Sequence, residues 1–219
     1  MSKHYKLTLL TAIFVAGLLS ANLLGSKVTT LFGISMSVGI FAYPLTFLMT
    51  DAIAEVYGKK KAMQIVYAAL IAQVLVLFLT WISVILPPAS RYAFNAEYTT
   101  VFGGSIRMII ASLIAFVVAQ THDVWAFEFW RKKFNGKYLW LRNNASTFVS
   151  QAIDTLLFMF IAFYGINEKF TVGFILELSL TYWGLKILFA ALDTPFVYAL
   201  VKWLKTGSDT NDPIPVERQ

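Results

Sequence analysis

The chain has 219 residues, of which 58% are hydrophobic and only 14% charged, against about 25% charge in an ordinary soluble domain; with a mean hydropathy of +0.67 this excludes a soluble globule and points to an all-α integral membrane protein. The absence of cysteine and the presence of only two histidines, His4 and His122, exclude a disulfide framework, a Cys-based metal site or nucleophile, and a His-rich metal cluster, so no metal or cofactor is expected. The net charge of +6 is explained by where the basic residues fall, at alternate membrane edges, and not by a nucleic-acid partner.

In chain order, the basic start MSKHYK precedes an apolar run with no clean small-residue cleavage site, and reads as a retained first helix over Leu7–Gly25. Ser26–Ser37 is too polar for lipid and predicts a short hairpin or re-entrant turn on the outer side. Spanning helices follow over Val38–Tyr57, Ala62–Leu86, Ile106–Trp130, Asn144–Tyr164 and Thr171–Val201, each near the roughly 20 residues a bilayer requires. The stretch from Pro87 to Gly104 is the longest outer loop, placed to act as a cap. One six-helix domain thus covers residues 1–205, and the polar tail 206–219 is expected to be disordered.

Twelve Lys and Arg residues lie in one set of loops, including Lys59, Lys60 and Lys61 between helices two and three, and the opposite set holds Lys27, Arg91 and Lys169. The excess places both termini in the cytoplasm, as an even number of spans requires.

Four aspartates interrupt these apolar segments. Asp51, Asp123 and Asp193 stand eight or nine residues before a basic edge residue (Lys59, Arg131, Lys202), and Asp154 twelve residues after Arg142. A carboxylate in hydrocarbon costs roughly 2.5–3.5 kcal/mol on insertion scales, so four at similar depth imply a polar site within the membrane. Helix five carries Ser146, Thr147, Ser150, Gln151, Asp154 and Thr155 on one face at helical spacing. Small hydroxyl residues alone would fit helix packing, but Gln151 and Asp154 fit it poorly. Helix six repeats the pattern with Ser179, Tyr182, Lys186, Phe189 and Asp193; mid-membrane Lys186 needs a partner, and Asp154 is at its depth. Ser112, Phe116, Gln120 and Asp123 form the stripe on helix four, while Arg107 lies off it near the outer end, where it either snorkels or gates the outer mouth. Helix two brings Thr46, Thr50 and Asp51, and helix one brings Asn22.

Carboxylates and amides beside aromatic side chains suit a flat, nitrogen-rich solute, whose adjacent N–H donors one carboxylate accepts while the ring stacks. HExxH, GxSxG and GxGxxG are absent, as are the contexts of an intramembrane aspartyl protease, so an enzyme is not expected.

The segments YPLTFLMTDAIAEVYGKKKA, IRMIIASLIAFVVAQTHDVWAFEFWRK, LWLRNNASTFVSQAIDTLLFMFIAFYG and LTYWGLKILFAALDTPF, in this order and spacing, resemble the queuosine precursor transporter family, also called the vitamin uptake transporter family. The resemblance implies a six-helix, multi-pass importer of the bacterial inner membrane. Its substrates would be 7-deazaguanines: 7-cyano-7-deazaguanine, 7-aminomethyl-7-deazaguanine or queuine, salvaged for tRNA modification. It carries over to Asn22, Thr50, Asp51, Arg107, Ser112, Gln120, Asp123, Ser146, Thr147, Asp154, Thr155 and Lys186; Asp193 sits where the family pattern is looser. The expected substrate contacts are Asn22, Thr50, Asp51, Ser112, Phe116, Gln120, Asp123, Ser146, Thr147, Ser150, Gln151, Asp154, Tyr182 and Lys186, with Arg107 and Asp193 as coupling or structural charges. Alternative readings are a substrate-binding subunit of an ATP-driven vitamin importer, for which Ala12 and Ala16 on helix one have docking spacing, and a non-transporting scaffold. The partners expected are the small-molecule substrate and the lipid bilayer. A homodimer would give the charge-free third helix a protein neighbour.

Overall fold

The computed structural model describes residues 1–133 and 139–206. The polar tail beyond Thr206 lies outside the described residues. Six α-helices and one two-stranded hairpin make up the described fold.

Helix α1 runs over Lys3–Leu24, its N-terminus capped by the Ser2 hydroxyl, which accepts from the Tyr5 amide. The segment expected to be a hairpin or a re-entrant turn is a hairpin. Strands β1 (Val28–Leu31) and β2 (Ile34–Ser37) pair antiparallel with Val28 opposite Ser37 and Leu31 opposite Ile34. Phe32 and Gly33 turn the corner with φ of 53° and 79°, two successive left-handed residues as a tight primed turn requires.

A 3₁₀ turn, Val38–Ala42, then leads into α2, Tyr43–Tyr57. The expected single helix over Val38–Tyr57 is therefore divided. Pro44 explains the division, because it lacks an amide donor and is tolerated only in the first turn of an α-helix. Gly58 alone, at φ 84°, joins α2 to α3, Lys59–Ile85.

Helix α4 begins at Asn95 and runs to Lys133, eleven residues earlier than expected. Its first three turns are polar and hydropathy did not mark them, so the expected outer cap shrinks to residues 86–94. Helix α5 spans Leu139–Phe163. Helix α6 spans Val172–Lys205, with Thr171 capping its start and Lys202 and Lys205 favouring the negative end of its dipole.

Among the described residues, five segments are long and apolar enough to cross a membrane: Lys3–Leu24, Val38–Tyr57, Lys59–Ile85, Asn95–His122 and Val172–Phe189. The apolar part of α5 that is described, Phe148–Phe163, is shorter. Ile71, Val74, Leu75, Phe78 and Trp81 of α3 are exposed, as suits a face that meets lipid.

Two apolar clusters hold the bundle, one toward each end. The cluster at the hairpin end joins Met36 and Ile40 to Met108 and Ala111 of α4, Phe158, Met159 and Phe163 of α5, and Ile175, Leu178 and Tyr182 of α6. At the lysine-rich end, Leu10 and Phe14 of α1 pack with Met49 and Ile53 of α2, Ile65 and Ala69 of α3, and Val201 and Leu204 of α6. Among the described residues, only α6 contributes buried residues to both. Basic side chains close two helix ends. The Lys6 ammonium donates to the Trp203 and Thr206 carbonyls, 2.7 Å from the latter, and lies 4.8 Å from the centre of the Trp203 ring. The Arg107 guanidinium donates to the Ile161 carbonyl at 2.7 Å and to the Tyr164 carbonyl.

Candidate functional site

Between the two clusters lies a cavity of about 300 Å3 to which all six helices contribute, at the lower end of the range for small-molecule sites. Phe14 and Leu18 enter from α1, Tyr43, Thr46, Phe47 and Thr50 from α2, and Val66 and Leu70 from α3. The remaining wall is Ser112, Phe116, Ala119 and Gln120 of α4, Ser150, Gln151 and Asp154 of α5, and Lys186 of α6.

Lys186 is the organising charge. Its side chain is 5% exposed, and its Nζ lies 3.0 Å from Asp154 Oδ2 and 3.2 Å from the Thr155 hydroxyl. The same ammonium stands 4.7 Å from the centre of the Tyr43 ring and 6.0 Å from that of Tyr182, and the two rings meet edge to face at 5.6 Å. Two hydrogen bonds and an aromatic face account for the three donors of an ammonium. Asp154, more open at 23%, gives one oxygen to Lys186 and lines the cavity with acceptor capacity left.

The polar groups around Asp154 are neutral. Thr50 donates its hydroxyl proton within its own helix, to the Thr46 and Phe47 carbonyls, which leaves lone pairs toward the cavity. Ser150 is 2.9 Å from His122 Nδ1 and so ties α5 to α4 beside the cavity. A second cavity of about 20 Å3, the size of a water molecule, is bounded by Asn22, Ala21, Phe158 and Tyr182, and shares Leu18, Tyr43, Thr46 and Ser112 with the first. Asn22 donates to the Leu18 carbonyl at 3.0 Å.

Of the residues singled out in the sequence, Thr50, Ser112, Phe116, Gln120, Ser150, Gln151, Asp154 and Lys186 meet at the main cavity, while Asn22 and Tyr182 line the small one. Asp51, Arg107 and Asp193 line neither. Arg107 caps the end of α5. The side chains of Asp123, Ser146 and Thr147 lie outside the described residues. Sequence reasoning passed over Phe14, Leu18, Val66 and Leu70, apolar residues that periodicity cannot distinguish from lipid-facing ones. It also passed over Gln73, fully buried on α3 with both amide atoms unpaired, which an amide in the middle of an apolar run signals. No group of three or more His, Cys, Asp or Glu side chains able to hold a metal occurs among the described residues.

Among the described residues, the cavity thus presents an ion pair, amides, hydroxyls and aromatic faces. The family model described as "Putative vitamin uptake transporter" matches residues 37–200. The chain is 31% identical over 185 residues to the "Probable queuosine precursor transporter" of Bacillus subtilis (strain 168), covering 84% of this chain and 80% of that one. It is 29% identical over 170 residues to the "Queuosine precursor transporter" of Escherichia coli (strain K12), covering 77% and 74%. No solved structure matches the chain. With helices apolar enough to cross a membrane, a solute-sized cavity and a family match over most of its length, the chain belongs to the vitamin uptake transporters, a family of membrane transporters and not of enzymes.

Proposed function

We propose that this protein imports 7-deazaguanine precursors of queuosine across the bacterial inner membrane, as a six-span secondary transporter with both termini in the cytoplasm. The observation that carries this reading is the Asp154 carboxylate, steadied by Lys186 and open to a cavity walled by Tyr43, Phe47 and Phe116. A guanine-type edge presents two adjacent N–H donors, and a carboxylate has the lone pairs to accept both. The fused ring then lies against an aromatic face, and Gln120 and Gln151, which line the same cavity, take the remaining polar atoms of the heterocycle in this reading.

Lys186 serves the site indirectly. Its donors are taken by Asp154, Thr155 and the Tyr43 ring, so it orients the Asp154 carboxylate instead of meeting the substrate. The names of the relatives, the solute-sized cavity and this acceptor geometry support the same substrate class.

The test is uptake of labelled 7-cyano-7-deazaguanine by cells unable to make it. Cells carrying the protein accumulate label, and Asp154→Asn abolishes accumulation. Normal uptake by that variant would overturn the site. Uptake that needs a co-purifying ATPase would favour the subunit of an ATP-driven importer instead.

A further inference from the structure

Gln73 is fully buried on α3, and neither its amide nitrogen nor its amide oxygen has a hydrogen-bond partner within the protein. It stands seven residues after Val66 and three after Leu70. At helical spacing this is the face of α3 that walls the main cavity through those two residues. Gln73 itself lines neither cavity. Long side chains on a helix lean back over the preceding turn, and the turn before Gln73 is that of Leu70, the last residue of α3 on the cavity wall.

Packing does not account for this amide. Polar side chains elsewhere between the helices hold a carbonyl. Ser105 donates to the Leu23 carbonyl at 2.7 Å, Arg107 to the Ile161 carbonyl at 2.7 Å, and Asn22 to the Leu18 carbonyl at 3.0 Å. Gln73 holds none. An amide kept from water with its bonds unmade weighs against folding, whereas an apolar side chain of the same length would fill the space without that cost.

The chemistry of the group defines what would satisfy it. A carboxamide sets an acceptor beside a donor, so its two-point complement is a ring N–H next to a ring nitrogen that accepts. In a 7-deazaguanine base, Asp154 takes the N1–H and 2-amino donors in the reading above. The donor beside an acceptor that then remains is N9–H beside N3. The 6-oxo group and the 7-substituent are left to Gln120 and Gln151.

Resting on that substrate reading, we propose that Gln73 is a further substrate-binding residue, which turns past Leu70 when the base enters and takes its N3 and N9–H edge. The amide oxygen accepts from N9–H and the amide nitrogen donates to N3. Rotation about the side-chain bonds of Gln73 and Leu70 suffices, with no shift of α3. The ligand class follows. A sugar on N9 removes the donor and stands where the amide must come, so the site admits the free base and refuses its nucleoside.

The experiment is calorimetric titration of purified full-length protein in detergent with 7-cyano-7-deazaguanine, with its analogue carrying C–H in place of N3, and with its N9 ribonucleoside. The wild type should bind the analogue about 3- to 10-fold more weakly than the base, as the loss of one hydrogen bond requires, and should not bind the nucleoside. Gln73→Met keeps the length of the side chain and removes the amide. It should bind the base about 5- to 100-fold more weakly than the wild type does, bind base and analogue alike, and melt at or above the wild type. Equal binding of base and analogue by the wild type, or a nucleoside bound like the base, would overturn the assignment while leaving the substrate reading intact. So would a Gln73→Met protein that melts below the wild type and keeps its affinity, which would make the amide a structural fixture. A wild type that binds neither base nor analogue overturns the substrate reading itself, and this assignment with it.

Discussion

The Lys186 ammonium on α6 stands over the ring of Tyr43 on α2, 4.7 Å from its centre, so a buried cation is partnered by an aromatic face as well as by a carboxylate. Such a contact is worth roughly 0.5–2 kcal/mol as it becomes desolvated. Tyr43→Phe keeps the face and is expected to bind 7-cyano-7-deazaguanine as the wild type does. Tyr43→Leu removes it and should weaken binding about 3- to 30-fold, read by titration calorimetry.

Lys186 and Asp154 should behave as one unit. Removing a single partner leaves an uncompensated buried charge, at a cost of about 3–5 kcal/mol. Lys186→Met and Asp154→Asn should each melt well below the wild type in detergent. The double variant should recover most of the loss and still fail to bind. Additive losses in the melting temperatures would contradict the coupling.

Arg107 caps α5 and lies outside the cavity. Charge-assisted hydrogen bonds are worth about 1.5–3 kcal/mol each, so Arg107→Leu should lower thermal stability sharply. The fraction that folds should bind substrate with unchanged affinity. A large loss of affinity in folded protein would instead give Arg107 a part in the transport path.

Gly39 sits where the chain enters α2, against the end of α1. A Cβ there would lie 2.6 Å from the Ala21 carbonyl oxygen and 3.4 Å from the Gly25 Cα, backbone atoms that cannot turn aside. Gly39→Ala should destabilise the protein by about 1–3 kcal/mol through overpacking. Gly103, whose Cβ would meet nothing within 4 Å, is the control: Gly103→Ala should melt like the wild type.

Much of the architecture was legible because a bilayer demands long apolar helices and punctuates them with charge. The pairing of Lys186 with Asp154 followed from depth alone. The start of α4 was not legible, because residues 95–104 are polar and helical at once. Nor was the task of Arg107, which depends on where the last carbonyls of α5 arrive in space. Asp51 and Asp154 look alike in sequence, each an acid after a hydroxyl-rich turn. Only packing separates them, turning Asp154 toward the cavity and leaving Asp51 on α2 outside its wall.

The corner at Gly58 acts as a crank. One residue joins α2 to α3, which leaves little slack between the two helices. A movement that begins in α2 therefore arrives, one helix later, at Val66 and Leu70 on the cavity wall. Helices α2 and α3 thus both reach the wall of the solute's chamber and are joined through Gly58 alone. A slack linker of glycines and serines inserted at Gly58 should uncouple the two while leaving both intact.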